Sequence, residues 1–84
     1  MGRIERLTKD IDNLKKDIEK YEEKLRKARD LHKQGRFDKD KWTKIRHTYQ
    51  EKRRTAQVTI RRKEKARLTF EKQEKENREK KETK

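Results

Sequence analysis

Apolar residues in the first third of the chain recur at alternating spacings of three and four positions. They occupy Ile4, Leu7, Ile11, Leu14, Ile18, Tyr21, Leu25 and Ala28. Four successive heptads with isoleucine or leucine at every a position are typical of a coiled-coil helix with a narrow apolar seam. The pattern therefore predicts a first helix over about residues 3–34.

A glycine and an aspartate follow this helix and indicate a turn. Gly35 is the only interior glycine, and a residue without a side chain suits the position after a helix where φ becomes positive. Asp38 suits the next helix start, because its carboxylate can accept a hydrogen bond from a first-turn N–H group. The sequence predicts a turn over residues 35–38 and a second helix over about residues 39–71.

The second helix carries a thinner apolar stripe. Its members are Trp42, Ile45, Tyr49, Ala56, Ile60 and Phe70. Lys52, Lys63 and Arg67 interrupt this stripe. If the chain folds back at Gly35, residues that face each other across the two helices should have numbers that add to about 74. This rule pairs Leu14 with Ile60 and places the apolar residues of the two helices opposite each other. The fold class that follows is all-α, an antiparallel two-helix hairpin of the coiled-coil type.

A single domain over residues 1–84 accounts for the whole chain. Residues 72–84 contain no apolar side chain and form either a charged helical extension or a frayed tail. Two helices leave an apolar seam half covered, so we expect a homodimer with a four-helix arrangement. A monomeric hairpin and one extended dimeric coil remain as alternatives. Val58 and Leu68 lie off the stripe and are available for such contacts.

Composition argues against an enzyme. Only 24% of the 84 residues are hydrophobic. An enzyme pocket typically has a volume of roughly 300 Å³ or more and is lined mainly by apolar side chains. The chain has no cysteine or serine, so the usual acyl-transfer nucleophiles are missing. His32 and His47 have no partner at a metal-binding spacing. We predict no catalytic residue, no metal site and no cofactor.

No apolar run in the sequence is long enough for a membrane helix or a secretory signal. We therefore expect neither membrane nor small-molecule partners. The expected location is the cytoplasm, in association with the chromosome.

Positive charge is concentrated in one part of the chain. There are 30 lysines and arginines against 17 acidic residues, a net charge of +13. Residues 41–67 alone hold 11 basic and 2 acidic side chains, a net of +9. A stripe of cations lies opposite the apolar stripe of the second helix and is well spaced to follow a phosphate backbone. The candidate nucleic-acid-binding residues are Lys44, Arg54, Arg61, Arg62, Lys65 and Arg67.

Other residues of the second helix add little evidence for base recognition. Five threonines could donate hydrogen bonds from their hydroxyl groups to phosphate oxygens; they are Thr43, Thr48, Thr55, Thr59 and Thr69. Trp42 and Tyr49 could stack on bases, but their positions on the apolar stripe favour packing. The sequence has no zinc-finger spacing, ribonucleoprotein motif or glycine-rich clamp. Contacts to the nucleic-acid backbone, without sequence specificity, are therefore the expected mode of binding.

A small, cysteine-free, Lys/Arg-rich helical hairpin that dimerises resembles the small basic chromosomal proteins of methanogenic archaea, in particular their seven-kilodalton coiled-coil DNA-binding family. The likeness is one of architecture and composition. It implies a nucleoid-associated homodimer that coats, bridges or loops duplex DNA with little sequence preference.

The leading functional hypothesis is thus an architectural DNA-binding protein. A ribosome-associated or other RNA-binding helical protein is one alternative. A coiled-coil module that binds an acidic protein surface or a helix is another, and its affinity would be controlled by seam residues such as Leu14 or Ile18.

Overall fold

The computed structural model describes the backbone of residues 2–82 and the side chains of residues 2–79. It contains two α-helices, α1 over Arg3–Lys33 and α2 over Lys39–Glu82, which pack against each other in antiparallel directions. No strand occurs within residues 2–82. The all-α antiparallel hairpin is confirmed, and it forms a rod of 72 × 16 × 16 Å.

Helix α1 follows the heptad pattern. Ile11 and Ala28 are buried, and the other seam residues of this helix are half-buried. Glu5 lies in the first turn, and His32 and Lys33 lie in the last, which places charges of the favourable sign at each end of the helix dipole. Apolar seam contact and terminal charge therefore both support a helix over this range.

The turn has the geometry expected from its glycine. The N–H of Arg36 donates to the Leu31 carbonyl at 2.9 Å, and that of Gly35 donates to the His32 carbonyl at 3.0 Å. Together these bonds form a Schellman motif, which satisfies carbonyls left open at a helix end. Gly35 has φ of +77°, a conformation that an L-residue adopts only with strain. The predicted positive φ at this residue is confirmed.

Helix α2 begins with an aspartate cap. The Asp38 carboxylate accepts a hydrogen bond from the backbone N–H of Lys41 at 2.7 Å, as predicted, and Asp40 lies in the first turn. The helix then continues without interruption to Glu82. The C-terminal segment is therefore helical through residue 82, whereas residues 83–84 and Met1 of the proposed domain lie outside the described residues.

We expect Asp38→Ala to lower the free energy of unfolding by about 1 kcal/mol, because a first-turn N–H group loses its acceptor. The melting temperature should fall by roughly 4–8 °C in a chain of this size. Thermal unfolding followed by circular dichroism at 222 nm measures the change. Asp12→Ala, at an exposed mid-helix position, is the control and should not lower the melting temperature. An unchanged melting temperature for Asp38→Ala would contradict the assigned cap.

Contacts between the helices confirm the predicted register. Lys63 pairs with Asp10 at 3.2 Å, and the rings of His32 and Trp42 stack at 6.0 Å between centroids. The residue numbers of both pairs add to 73 or 74. Lys63, one of the three cations that interrupt the apolar stripe, thus has an acidic partner across the seam.

The fully buried core is small. Its described members are Ile11, Ala28, Ala56 and Ile60. No charged or polar side chain is buried among the described residues, so the hairpin avoids the desolvation cost of an internal charge. The remaining seam residues are half-buried, and each side of the seam stays partly open to solvent.

Candidate nucleic-acid interface

Five of the six candidate cations form one exposed surface on α2, which we name the outer basic face. It consists of Lys44, Arg54, Arg61, Arg62 and Lys65, all exposed. At about 100° per residue, these side chains lie on the side of α2 that points away from α1. Within the described part of the chain none of them forms a hydrogen bond or ion pair. Their charges are therefore available to a ligand.

The outer basic face is long enough to follow a nucleic-acid backbone. Arg54 and Lys65 are about 16 Å apart along the axis, at a rise of 1.5 Å per residue. Lys44 extends the face to about 32 Å. Duplex DNA carries one charge per roughly 1.7 Å of its axis, so several phosphates can lie opposite this face.

Arg67, the sixth candidate, lies elsewhere. Its side chain is 31% exposed, and its guanidinium donates to the Thr8 hydroxyl of α1 at 3.3 Å. The same guanidinium lies 3.9 Å from Glu71. Arg67 therefore bridges the seam and is separated from the other five candidates.

Two of the five candidate threonines already use their hydroxyl protons. Thr59 donates to the carbonyl of Thr55 at 2.9 Å, and Thr69 donates to the carbonyl of Lys65 at 3.0 Å. Such bonds to the preceding turn are common for helical threonine. Thr43, Thr48 and Thr55 are exposed and remain the threonines that can donate to phosphate.

Trp42 and Tyr49 pack within the hairpin. Trp42 is half-buried, with the His32 ring stacked against it and the Arg46 guanidinium 5.9 Å from its ring centre. Tyr49 contacts Tyr21 of α1 at 6.1 Å between ring centres. These contacts confirm the prediction that both rings pack in the seam.

A second group of cations comes together only when the hairpin closes. Arg26 and Arg29 of α1 face Arg46 and Arg53 of α2 across an open groove of about 610 Å³. We name it the arginine groove. The α1 side of this groove also carries three glutamates, Glu19, Glu22 and Glu23. The pattern within either helix does not predict this groove, because its charged residues come from both helices. The sum of about 74 that pairs apolar residues also places Arg29 beside Arg46, and this is the signal in the sequence for the groove.

The described residues carry no other recognisable chemical site. They include no group of three histidine, cysteine or acidic side chains that could hold a metal ion. Neither α1 nor α2, as far as it is described, has a stretch long and apolar enough to cross a membrane.

Comparison with known proteins gives no match: no protein-family model fits the chain, and no curated protein or solved structure is similar to it. The likeness to archaeal chromosomal proteins stays a prediction. Functional inference therefore depends on the surface of the hairpin itself.

Proposed function

We propose that this protein binds duplex DNA through the phosphate backbone and acts as an architectural, nucleoid-associated protein. The observation that carries the proposal is the outer basic face, in which five exposed cations have no partner among the described residues. It belongs to a segment, residues 41–67, with a net charge of +9. No enzymatic step is part of this function.

Packing does not explain why these cations are gathered on one side. The seam is formed on the opposite side of α2, and α1 carries a mixed surface with 11 basic and 8 acidic residues in positions 1–35. Concentrating like charges costs self-repulsion, which a polyanion relieves. When lysine or arginine side chains contact DNA phosphates, they displace the counterions condensed on the DNA, and the release of these counterions drives binding.

Backbone contact gives affinity without requiring a particular base sequence. The hairpin is a straight rod that presents the outer basic face along one edge. We propose that a homodimer presents two such faces and thereby bridges or compacts duplexes.

A salt series on a random duplex tests the proposal. If five phosphates are neutralised, the logarithm of the binding constant should fall against the logarithm of salt concentration with a slope of about −4.5. Fluorescence anisotropy of a labelled duplex measures this slope for the full chain. Binding that hardly changes between 50 and 200 mM salt would contradict a phosphate-based mechanism.

Competition between unlabelled duplex DNA and duplex RNA of the same sequence separates the two nucleic-acid hypotheses. We expect DNA to displace the labelled DNA probe at the lower concentration. The reverse order would favour the RNA-binding alternative and leave the role of the outer basic face intact.

A further inference from the structure

An apolar side chain, Val58, lies among the cations of the outer basic face. It is 41% exposed and lies about 160° around α2 from Ile60, which is buried in the seam. On a helix surface, the nearest neighbours of a residue are those three and four positions away. For Val58 these neighbours are Arg54, Thr55, Arg61 and Arg62. The valine is thus surrounded by arginines that have no partner among the described residues.

Folding of the hairpin does not account for a valine at this position. Valine forms helices less readily than alanine, lysine or glutamate, and a side chain on the outer side of α2 adds nothing to the seam. Leu68 is also exposed, at 64%, but its surroundings differ. Its neighbours at the same spacings carry charges of both signs, namely Glu64, Lys65, Glu71 and Lys72. Among the exposed large apolar side chains described, the purely cationic surroundings are therefore particular to Val58.

The surface around Val58 has the shape and charge to enter the major groove of DNA. Within about 90° of Val58 around the axis, α2 has no acidic residue between Glu51 and Glu76. An α-helix is about 10–12 Å in diameter and the major groove is about 12 Å wide. Because α1 packs against the opposite side of α2, it does not obstruct this approach.

The side chains next to Val58 leave room for a base edge. Val58, Arg54 and Arg61 line an open depression of about 540 Å³ on α2, and Glu51 lines it as well. Glu51 lies about 10 Å along the axis from Val58, toward the turn. The part of the depression beside Val58 is therefore bordered by apolar and cationic groups.

We propose that α2 lies in the major groove of duplex DNA and that Val58 contacts the C5-methyl group of thymine there. This contact rests on the proposed function, because it requires that the outer basic face binds a duplex. The thymine methyl group is exposed in the major groove, where apolar side chains pack against it. Arg61 and Arg62 lie on the two sides of Val58 around the axis, and they contact phosphates of the two strands that border the groove.

A second copy of the chain is a poor partner for Val58. A two-fold contact centred on this residue would bring Arg54, Arg61 and Arg62 of one copy against the same residues of the other. Like charges brought together in this way oppose association. A duplex instead offers two rows of phosphates with methyl groups between them, which matches both the arginines and the valine.

The contact also gives a physical reason for the expected preference for DNA over RNA. Uracil lacks the methyl group, and the major groove of an RNA duplex is too deep and narrow for side chains to read. A single apolar contact favours thymine content and does not require a fixed base sequence. It leaves the number of phosphate contacts, and hence the salt slope, unchanged.

Removing methyl groups from either partner tests the contact. Fluorescence anisotropy compares two duplexes of one sequence, the second with deoxyuridine at every thymine position. Burial of one methyl group strengthens binding by about fourfold, so the wild type should bind the thymine duplex at least about fourfold more tightly than the deoxyuridine duplex. Val58→Ala should bind the thymine duplex more weakly by a similar factor and no longer distinguish the two. Its salt slope should equal that of the wild type.

Leu68→Ala is the matched control, since it shortens another exposed large apolar side chain. It should keep the preference for thymine, with helicity of all variants checked by circular dichroism. Equal affinity of the wild type for the two duplexes would overturn the contact, and so would an undiminished preference in Val58→Ala. A salt slope near −4.5 in the same titrations would leave the proposed function standing. Absence of salt-dependent binding to either duplex would instead contradict the proposed function, and the contact with it.

Discussion

Replacing Arg54, Arg61, Arg62 and Lys65 together with glutamine is expected to lower the affinity for duplex DNA by about a thousandfold or more in 0.1 M salt. Each phosphate contact contributes close to 0.9 to the salt slope, so four lost contacts should reduce a slope of about −4.5 to near −1. Between 1 M and 0.1 M salt, each such contact strengthens binding by roughly eightfold. Glutamine keeps the length and helix preference of the side chains but removes their charge.

Anisotropy titrations in a salt series measure both affinity and slope. A matched control replaces four exposed cations on the outer side of α1 with glutamine, namely Arg6, Lys9, Lys16 and Lys20. The control loses the same net charge but no residue of the outer basic face, and we expect only a few-fold loss from weaker long-range attraction. Equal losses in the two variants would show that total charge, and not this face, determines binding.

Much of the fold could be predicted from the sequence because its signals are local. The heptads of α1, the positive φ of Gly35 and the cap of Asp38 each depend on residues within one or two turns. Because residues equally far from the turn lie opposite each other, the position of the turn sets the antiparallel register. The Lys63–Asp10 pair then agrees with that register.

The candidate site could be predicted less completely, because part of its charged surface is assembled from both helices. Arg67 interrupts the apolar stripe of α2, and this position in the sequence already indicates the seam, where Thr8 and Glu71 hold its guanidinium. The arginine groove depends on contacts between residues far apart in the chain. The groove therefore has no signature within a single helix.

The distribution of residue types explains how such a charged chain can fold. Apolar side chains are used almost entirely in the seam; among the described residues, Val58 at 41% and Leu68 at 64% are the large apolar side chains that remain exposed. The three cations on the apolar stripe each have a partner at the seam. Lys63 pairs with Asp10, Arg67 donates to Thr8, and the Lys52 ammonium lies over the Tyr49 ring. The remaining positive charge faces solvent, where water and salt screen its self-repulsion.

Because the core is so small, Ile11→Ala should have a large effect on stability. Ile11 is 1% exposed and is the most deeply buried large side chain described. Replacing a buried isoleucine with alanine costs about 2–5 kcal/mol, which includes the cavity that is left. At roughly 0.05–0.15 kcal/mol per residue, a chain of 84 residues is expected to have a free energy of unfolding of about 4–13 kcal/mol. We therefore expect Ile11→Ala to unfold at a substantially lower urea concentration, in a titration monitored by circular dichroism. The control Val58→Ala should change the free energy of unfolding by less than about 0.5 kcal/mol.

DNA should partly reverse the effect of Ile11→Ala, because a ligand that binds only the folded hairpin stabilises it. Duplex DNA at a concentration of about 100 times its dissociation constant should raise the free energy of unfolding by roughly 2.7 kcal/mol. Combining Ile11→Ala with the four glutamine substitutions removes the contacts through which DNA acts, so the same duplex should then restore little. If DNA stabilised both variants equally, its stabilising contact would lie outside the outer basic face. If Ile11→Ala unfolded at the wild-type urea midpoint, the seam would not be the source of the hairpin's stability.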